Sequence, residues 1–142
     1  MKVYDASGHI LGRMSSIIAK ELLNGENIVV VNAEKAVISG RPKQTLEHYK
    51  IRVKRGDPIK GPFFPRTPNG IFRRAIRGML PWKKAKGQEA FKRLIVHIGV
   101  PENLEGKEEK FERIEQANAG KLNTRSVSIG DLSVDLGAKK RW

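Results

Sequence analysis

Four β-branched residues in succession, Ile28-Val29-Val30-Val31, leave no polar side for water and mark a strand covered on both faces. Ahead of them Lys2–Ala6 reads as a short first strand, and Ser7-Gly8 as a turn into a helix. In that helix Leu11, Met14, Ile18 and Leu22 fall within an arc of about 80° at ~100° per residue. Ile17, Ala19 and Leu23 widen the apolar arc, so the helix is covered on much of its circumference. Asn24-Gly25 ends it, glycine being suited to the left-handed position after a helix. Strand, helix and doubly covered strand predict a right-handed βαβ unit and a parallel sheet.

Beyond this unit Ala36–Ser39 reads as another short strand, and Arg41-Pro42 opens a helix on which Leu46, Tyr49 and Val53 share a face. Gly56–Gly70 holds four prolines and three glycines and reads as a loop or arm, mobile until a partner orders it. Residues 71–79 separate cleanly: Ile71, Phe72, Ala75, Ile76 and Met79 cover about 140° of the helical wheel, while Arg73, Arg74 and Arg77 occupy the opposite side. After the Leu80-Pro81 step comes a basic loop, Trp82–Gly87, then a short helix, Gln88–Arg93, and a doubly covered strand, Leu94–Ile98. Glu102–Gln116 mixes charges and reads as exposed loop and helix. Val127–Ile129 reads as a last strand, and Asp131 as the cap of a short helix ending at Gly137. At ~100–200 residues per domain, 142 residues are a single domain, 1–142.

Charge narrows the function. The net +13 is not spread along the chain: residues 1–40 carry four basic and four acidic side chains, and residues 94–142 eight of each. Residues 41–93 carry sixteen Lys and Arg against Glu47, Asp57 and Glu89. Thirteen uncompensated charges repel one another, and a polyanion relieves that repulsion while shedding its own counterions. Nucleic acid is the partner this distribution favours. A membrane surface fits less well, because no basic amphipathic helix with Trp, Phe and Leu on one face is present. The longest apolar runs fall far short of the ~20 residues of a membrane span, and the opening MKVYDASGHI does not read as a signal peptide, so a cytoplasmic location is expected.

Chemistry is harder to find. With no cysteine, and with His9, His48 and His97 far apart, no local metal motif exists and no metal or other cofactor is expected. Asp5–Gly12 lacks the middle glycine of a dinucleotide turn, although Glu34 stands where a ribose-binding acid would be sought. A nucleotide-dependent enzyme using this turn is the rival reading, with Asp5 and Glu34 as a conceivable acid pair. The bland reading makes Gly8 a turn residue, Gly12 a close-packing residue and His97 a hydrogen-bonded core histidine. The basic residues form the stronger constellation, since the guanidinium fork matches phosphate oxygens. Arg73, Arg74 and Arg77 present one face, with Arg66, Lys83, Lys84 and Lys86 extending it and Lys92 and Arg93 following. Arg41, Lys43, Lys54 and Arg55 form a second tier, and Lys139, Lys140 and Arg141 a third at the C-terminal tail. Phe63, Phe64 and Trp82 lie among these charges, where stacking on bases competes with core packing as their role.

Two stretches also resemble a known family. RTPNGIFRRAIRGMLPWKKAKGQEAFKRL followed by IVHIGVP, and DASGHILGRMSSIIAKELLNGENIVVVNAEKAVISG near the start, are similar to the large-subunit ribosomal protein thirteen family. The compact spacing between Leu22 and Val31, with RTPNGIF, resembles its archaeal type. The resemblance implies a three-layer α/β/α domain with a mostly parallel four-stranded sheet and no enzyme activity. It implies large-subunit ribosomal RNA and neighbouring ribosomal proteins as partners, with no membrane and no small-molecule substrate. The family's basic loop-and-helix region maps onto Arg66 through Arg93, within a basic region at about 41–93, and a C-terminal extension begins at about residue 102. An RNA-binding regulator working outside the ribosome would need the same basic face.

Overall fold

The computed structural model describes residues 1–107 and 110–142. In chain order its elements are β1 (Lys2–Asp5), α1 (Leu11–Leu23), β2 (Ile28–Val31), β3 (Val37–Ser39), α2 (Pro42–Lys54), α3 (Pro68–Met79), α4 (Ala85–Lys92), β4 (Leu94–Val96), β5 (Ser126–Ser128) and α5 (Ile129–Asp135). The βαβ unit forms as its pattern dictates: β1 and β2 pair in parallel, Lys2 opposite Ile28, and every residue of β2 is buried. β4 lies parallel on the other side of β2, giving the order β1-β2-β4. The chain leaves α1 through Asn24 and Gly25, whose φ of +101° is the left-handed conformation expected there.

The sheet is smaller than the four strands expected. β3 does not join it; it pairs antiparallel with β5 in a separate ribbon, Val37 opposite Ser128. Asn32, at φ +54°, and the 3-10 turn Ala33–Lys35 swing the chain off the sheet directly after β2. On the outer edge of β1 the place of a fourth strand is taken by a single parallel bridge between Tyr4 and Glu112. β4 is likewise shorter than Leu94–Ile98, and Ile95 is 51% exposed. An edge strand packs well on one face only; here Leu94 and Val96 are buried, in register with Ile28 and Val30.

One face of the sheet is fixed by Tyr4, whose hydroxyl donates to the Glu21 carboxylate of α1 at 2.9 Å. α1 packs there against α3 and α4. Met14, Ile18, Leu22, Ile71, Phe72 and Ile76 are fully buried between them. Met79, placed on the same apolar face by periodicity, is instead 44% exposed, because α3 ends at that residue. α5 is capped by Ser128, whose hydroxyl oxygen accepts from the Asp131 N–H at 3.1 Å, so Asp131 lies inside the first turn rather than at the cap. The loop-and-helix reading of Glu102–Gln116 resolves into 3-10 turns at Glu102–Leu104 and Glu115–Ala117; Glu108 and Glu109 lie outside the described residues.

Part of the Gly56–Gly70 segment has structure of its own. Asp57 and Gly61 exchange two backbone hydrogen bonds, at 3.0 and 2.9 Å, and the Asp57 carboxylate accepts from the Ile59 N–H at 2.8 Å. Phe64 then packs edge-on against Tyr49 of α2. The Asp57–Gly61 turn is thus closed by its own backbone hydrogen bonds.

Candidate nucleic-acid interface

The first βα turn is occupied by the chain itself. Asp5 accepts hydrogen bonds from the Ser7 N–H at 3.0 Å, the Ser7 hydroxyl at 2.7 Å and the Asn32 amide at 3.0 Å, and pairs with Arg113 at 3.2 Å. Burial works against its charge, but these hydrogen bonds outweigh it and hold the carboxyl below its ordinary range. His9 is buried; its Nε2 accepts from the Ile114 N–H at 3.1 Å, which leaves Nδ1 as the donor to the Ser7 carbonyl at 2.9 Å. Ile10 N–H donates to Ala117, and Ala119 N–H to Gly8. Residues 114–119 therefore lie across the N-terminal end of α1, where a pyrophosphate would have to bind. Glu34, buried beside β2, accepts from the Gly99 N–H at 3.0 Å. Asp5 and Glu34 face different partners and form no acid pair. Among the described residues, no cluster of three His, Cys, Asp or Glu side chains is placed to hold a metal, and no helix is long and apolar enough to cross a membrane.

The basic residues face outward. Of the sixteen in residues 41–93, fourteen are exposed, and Arg77 and Arg93 are half-buried. Neither of the two ion pairs found among the described residues involves any of them. Arg93 serves the fold instead, for its guanidinium donates to the Leu22 carbonyl at 2.8 Å and closes the C-terminal end of α1.

α3 is the centre of this face, as its wheel predicts, but its arginines do not simply project into water. Arg77 lies over the Trp82 ring at 4.4 Å and Arg73 over Phe91 at 4.8 Å, while Trp82 and Phe91 meet edge to face at 5.2 Å. On its other side Arg74 lies 5.9 Å from the Phe64 ring. Arg52 of α2 sits 5.6 Å from Tyr49 and 5.9 Å from Phe64. A guanidinium held over a ring loses rotational freedom yet keeps N–H donors available to an anion. α4 reaches this cluster because Gly87 packs flush on Pro81; a Cβ there would strike the Pro81 carbonyl. Lys83, Lys84 and Lys86 are exposed on that turn, and Lys92 on the last turn of α4.

Three open clefts collect the positive charge, and α2 or its N-terminal flank borders each. Arg52, Arg55, Arg74 and Arg77 line the first, of about 600 Å³, together with Phe63 and Phe64. Arg41 and Gln44 line the second with Thr124 and Arg125. Lys50, Lys54 and Arg66 line the third with Asp135 and Leu136. Arg66 thus stands by the end of α5 rather than extending the α3 face. Lys43 is exposed on the first turn of α2. Lys139, Lys140 and Arg141 are exposed on the tail, which returns to α5: a Cβ at Gly130 would sit 2.9 Å from the Trp142 indole nitrogen. Sequence reasoning passed over Arg52, Lys50 and Arg125. For Arg52 a signal existed, its place three residues after Tyr49, the spacing that sets side chains together on a helix. For Arg125, brought in by the β3–β5 ribbon, none did.

The fold and this face define a class: a basic α/β protein with a closed βα turn and an exposed, strongly positive outer surface. The chain belongs to the ribosomal protein L13 family, whose model matches residues 1–103. It is 56% identical over 137 residues to the large ribosomal subunit protein uL13 of Archaeoglobus fulgidus, covering 95% of this chain and 86% of that one. Similar matches are the uL13 proteins of Methanopyrus kandleri, 47% identical over 136 residues with the same coverage, and of Haloarcula marismortui, 43% over 141 residues, covering 99% of this chain and 93% of that protein.

Proposed function

We propose that this chain is a structural constituent of the large ribosomal subunit that binds large-subunit ribosomal RNA and stabilises its packing, with neighbouring ribosomal proteins as further partners. The contact surface is the basic face formed by α2, α3 and the turn at Trp82–Lys86, with the tail at Lys139–Arg141 as an outlying contact. The observation that carries the reading is the sixteen-to-three excess of basic over acidic residues in 41–93, with fourteen of the sixteen exposed and none in either ion pair found among the described residues. Membership of the L13 family supports the ribosomal assignment. The protein contributes no catalysis in this reading: the turn that a nucleotide enzyme would use is filled by residues 114–119.

Affinity for a large-subunit RNA fragment tests this directly. Neutralising about 6–10 phosphates gives a slope of roughly −5 to −9 for log affinity against log salt. A slope near zero would overturn the electrostatic reading. Co-sedimentation with large subunits after a salt wash separates a ribosomal constituent from a regulator that works off the ribosome; the constituent stays with the subunit.

A further inference from the structure

Two aromatic clusters flank α3, and guanidiniums already cover the rings of both. Trp82 and Phe91 pack on each other and each carries a guanidinium, Arg77 on one and Arg73 on the other. Tyr49 and Phe64 likewise pack together beneath Arg52 and Arg74. Phe63 is different. It is 71% exposed, and among the described residues it meets no other ring and no guanidinium. Its setting is nevertheless built. The ring rests against Gly61, where a Cβ would come within 3.1 Å of it and where φ is +81°, a conformation glycine favours. Gly61 is tied back to Asp57 by the paired backbone hydrogen bonds, so Phe63 stands on a closed hairpin rather than a free arm.

That ring opens into the cleft lined by Arg52, Arg55, Arg74 and Arg77. A cleft lined by four arginines and one bare aromatic ring calls for a ligand that is anionic and flat together. A nucleotide meets both needs, with phosphates for the arginines and a base for the ring. A duplex meets only the first, since its bases are already stacked on one another and its deep major groove is closed to side chains. We propose that this cleft takes an unpaired nucleotide of the bound RNA, its base stacked on Phe63 and its flanking phosphates held by Arg55, Arg74 and Arg77. The inference rests on the RNA-binding reading above and adds to it a single-stranded subsite.

The test uses the full chain with two probes: a single-stranded RNA of about ten nucleotides carrying 2-aminopurine, and a short RNA duplex. Expected for the native protein is binding to both, with the aminopurine emission quenched by stacking. Phe63→Ala should weaken single-strand binding roughly 5- to 150-fold and abolish the quench, leaving duplex affinity and thermal melting unchanged. Phe63→Trp should restore both, because any large ring serves as a platform. Arg74→Ala should weaken both probes. Equal affinity of Phe63→Ala and native protein for the single strand would overturn the subsite while leaving the RNA-binding reading intact, and would assign Phe63 to contact with a protein neighbour. Equal loss on both probes would overturn it as well, since stacking is specific to unpaired bases. A native protein that bound neither probe would overturn both the subsite and the reading beneath it.

Discussion

α1 and α2 are each thirteen residues long, and neither has a side-chain cap at its start, yet the protein holds them in opposite ways. α1 buries Leu11, Met14, Ser15, Ile18, Ala19 and Leu22. α2 buries no residue at all; Leu46, Tyr49 and Val53 reach the core only partly, and Ile51 is 54% exposed. α1 is secured by the apolar area it removes from water, the dominant favourable term in folding. α2 keeps most of its circumference in solvent, and it borders the three clefts where positive charge collects. A helix that costs ordering entropy and buries so little fits the RNA-facing role proposed for it above.

The sharpest way to break this contrast is to truncate one leucine in each helix. Leu22→Ala should destabilise the free protein by about 2–5 kcal/mol, because the site is sealed and a cavity remains. Leu46→Ala should cost less than about 1.5 kcal/mol, since water can refill its half-open site. Denaturant unfolding of both variants measures the difference, and equal losses would place α2 in the core after all. Ile76 and Met79 draw the same line within α3: Ile76→Ala should also fall in the range of about 2–5 kcal/mol, whereas Met79→Ala should stay below about 1 kcal/mol because the side chain is already half in water.

Asp5 sharpens the comparison from the other direction, since it secures the turn leading into α1 without any apolar burial of its own. Its carboxyl titrates below the ordinary carboxylate range in the folded state. The stability it contributes is therefore complete above a pH of about 4, the unfolded value, and is lost as pH falls through the lower folded value. Asp5→Asn should cost about 1–2 kcal/mol at neutral pH, the order of a lost charge-assisted hydrogen bond. It should also flatten the fall in stability below pH about 4. Acid titration of the melting temperature reads both effects, and an unchanged acid limb would show that Asp5 is not the linked group.

Much of this architecture was legible in local pattern. The β-branched run at Ile28–Val31, the arc through Leu11, Met14, Ile18 and Leu22, and the arginine side of residues 73–77 each depend on neighbours within a few positions, which is the range over which period and polarity act. Period alone misplaces Ile95 and Met79, because an apolar residue in the right period is buried only if another element arrives to cover it. The fate of β3 was equally hidden: three residues, Val37–Ser39, pair as readily in a ribbon as in a sheet, and the turn after Asn32 selects the ribbon.

The basic surface divides along the same line. Its existence is a property of composition and position, the surplus of thirteen charges confined to residues 41–93. Sequence was therefore enough to establish a βαβ core joined to a polycationic segment. Which charges stand together was decided by tertiary structure alone. Arg66 went to the end of α5, Arg52 joined Arg74 across the Phe64 ring, Arg93 turned inward to Leu22, and Arg125 met Arg41 through the β3–β5 ribbon. Such groupings join residues up to 84 positions apart in the chain, Arg41 and Arg125. They follow from how the connections cross over the core, which no local period encodes.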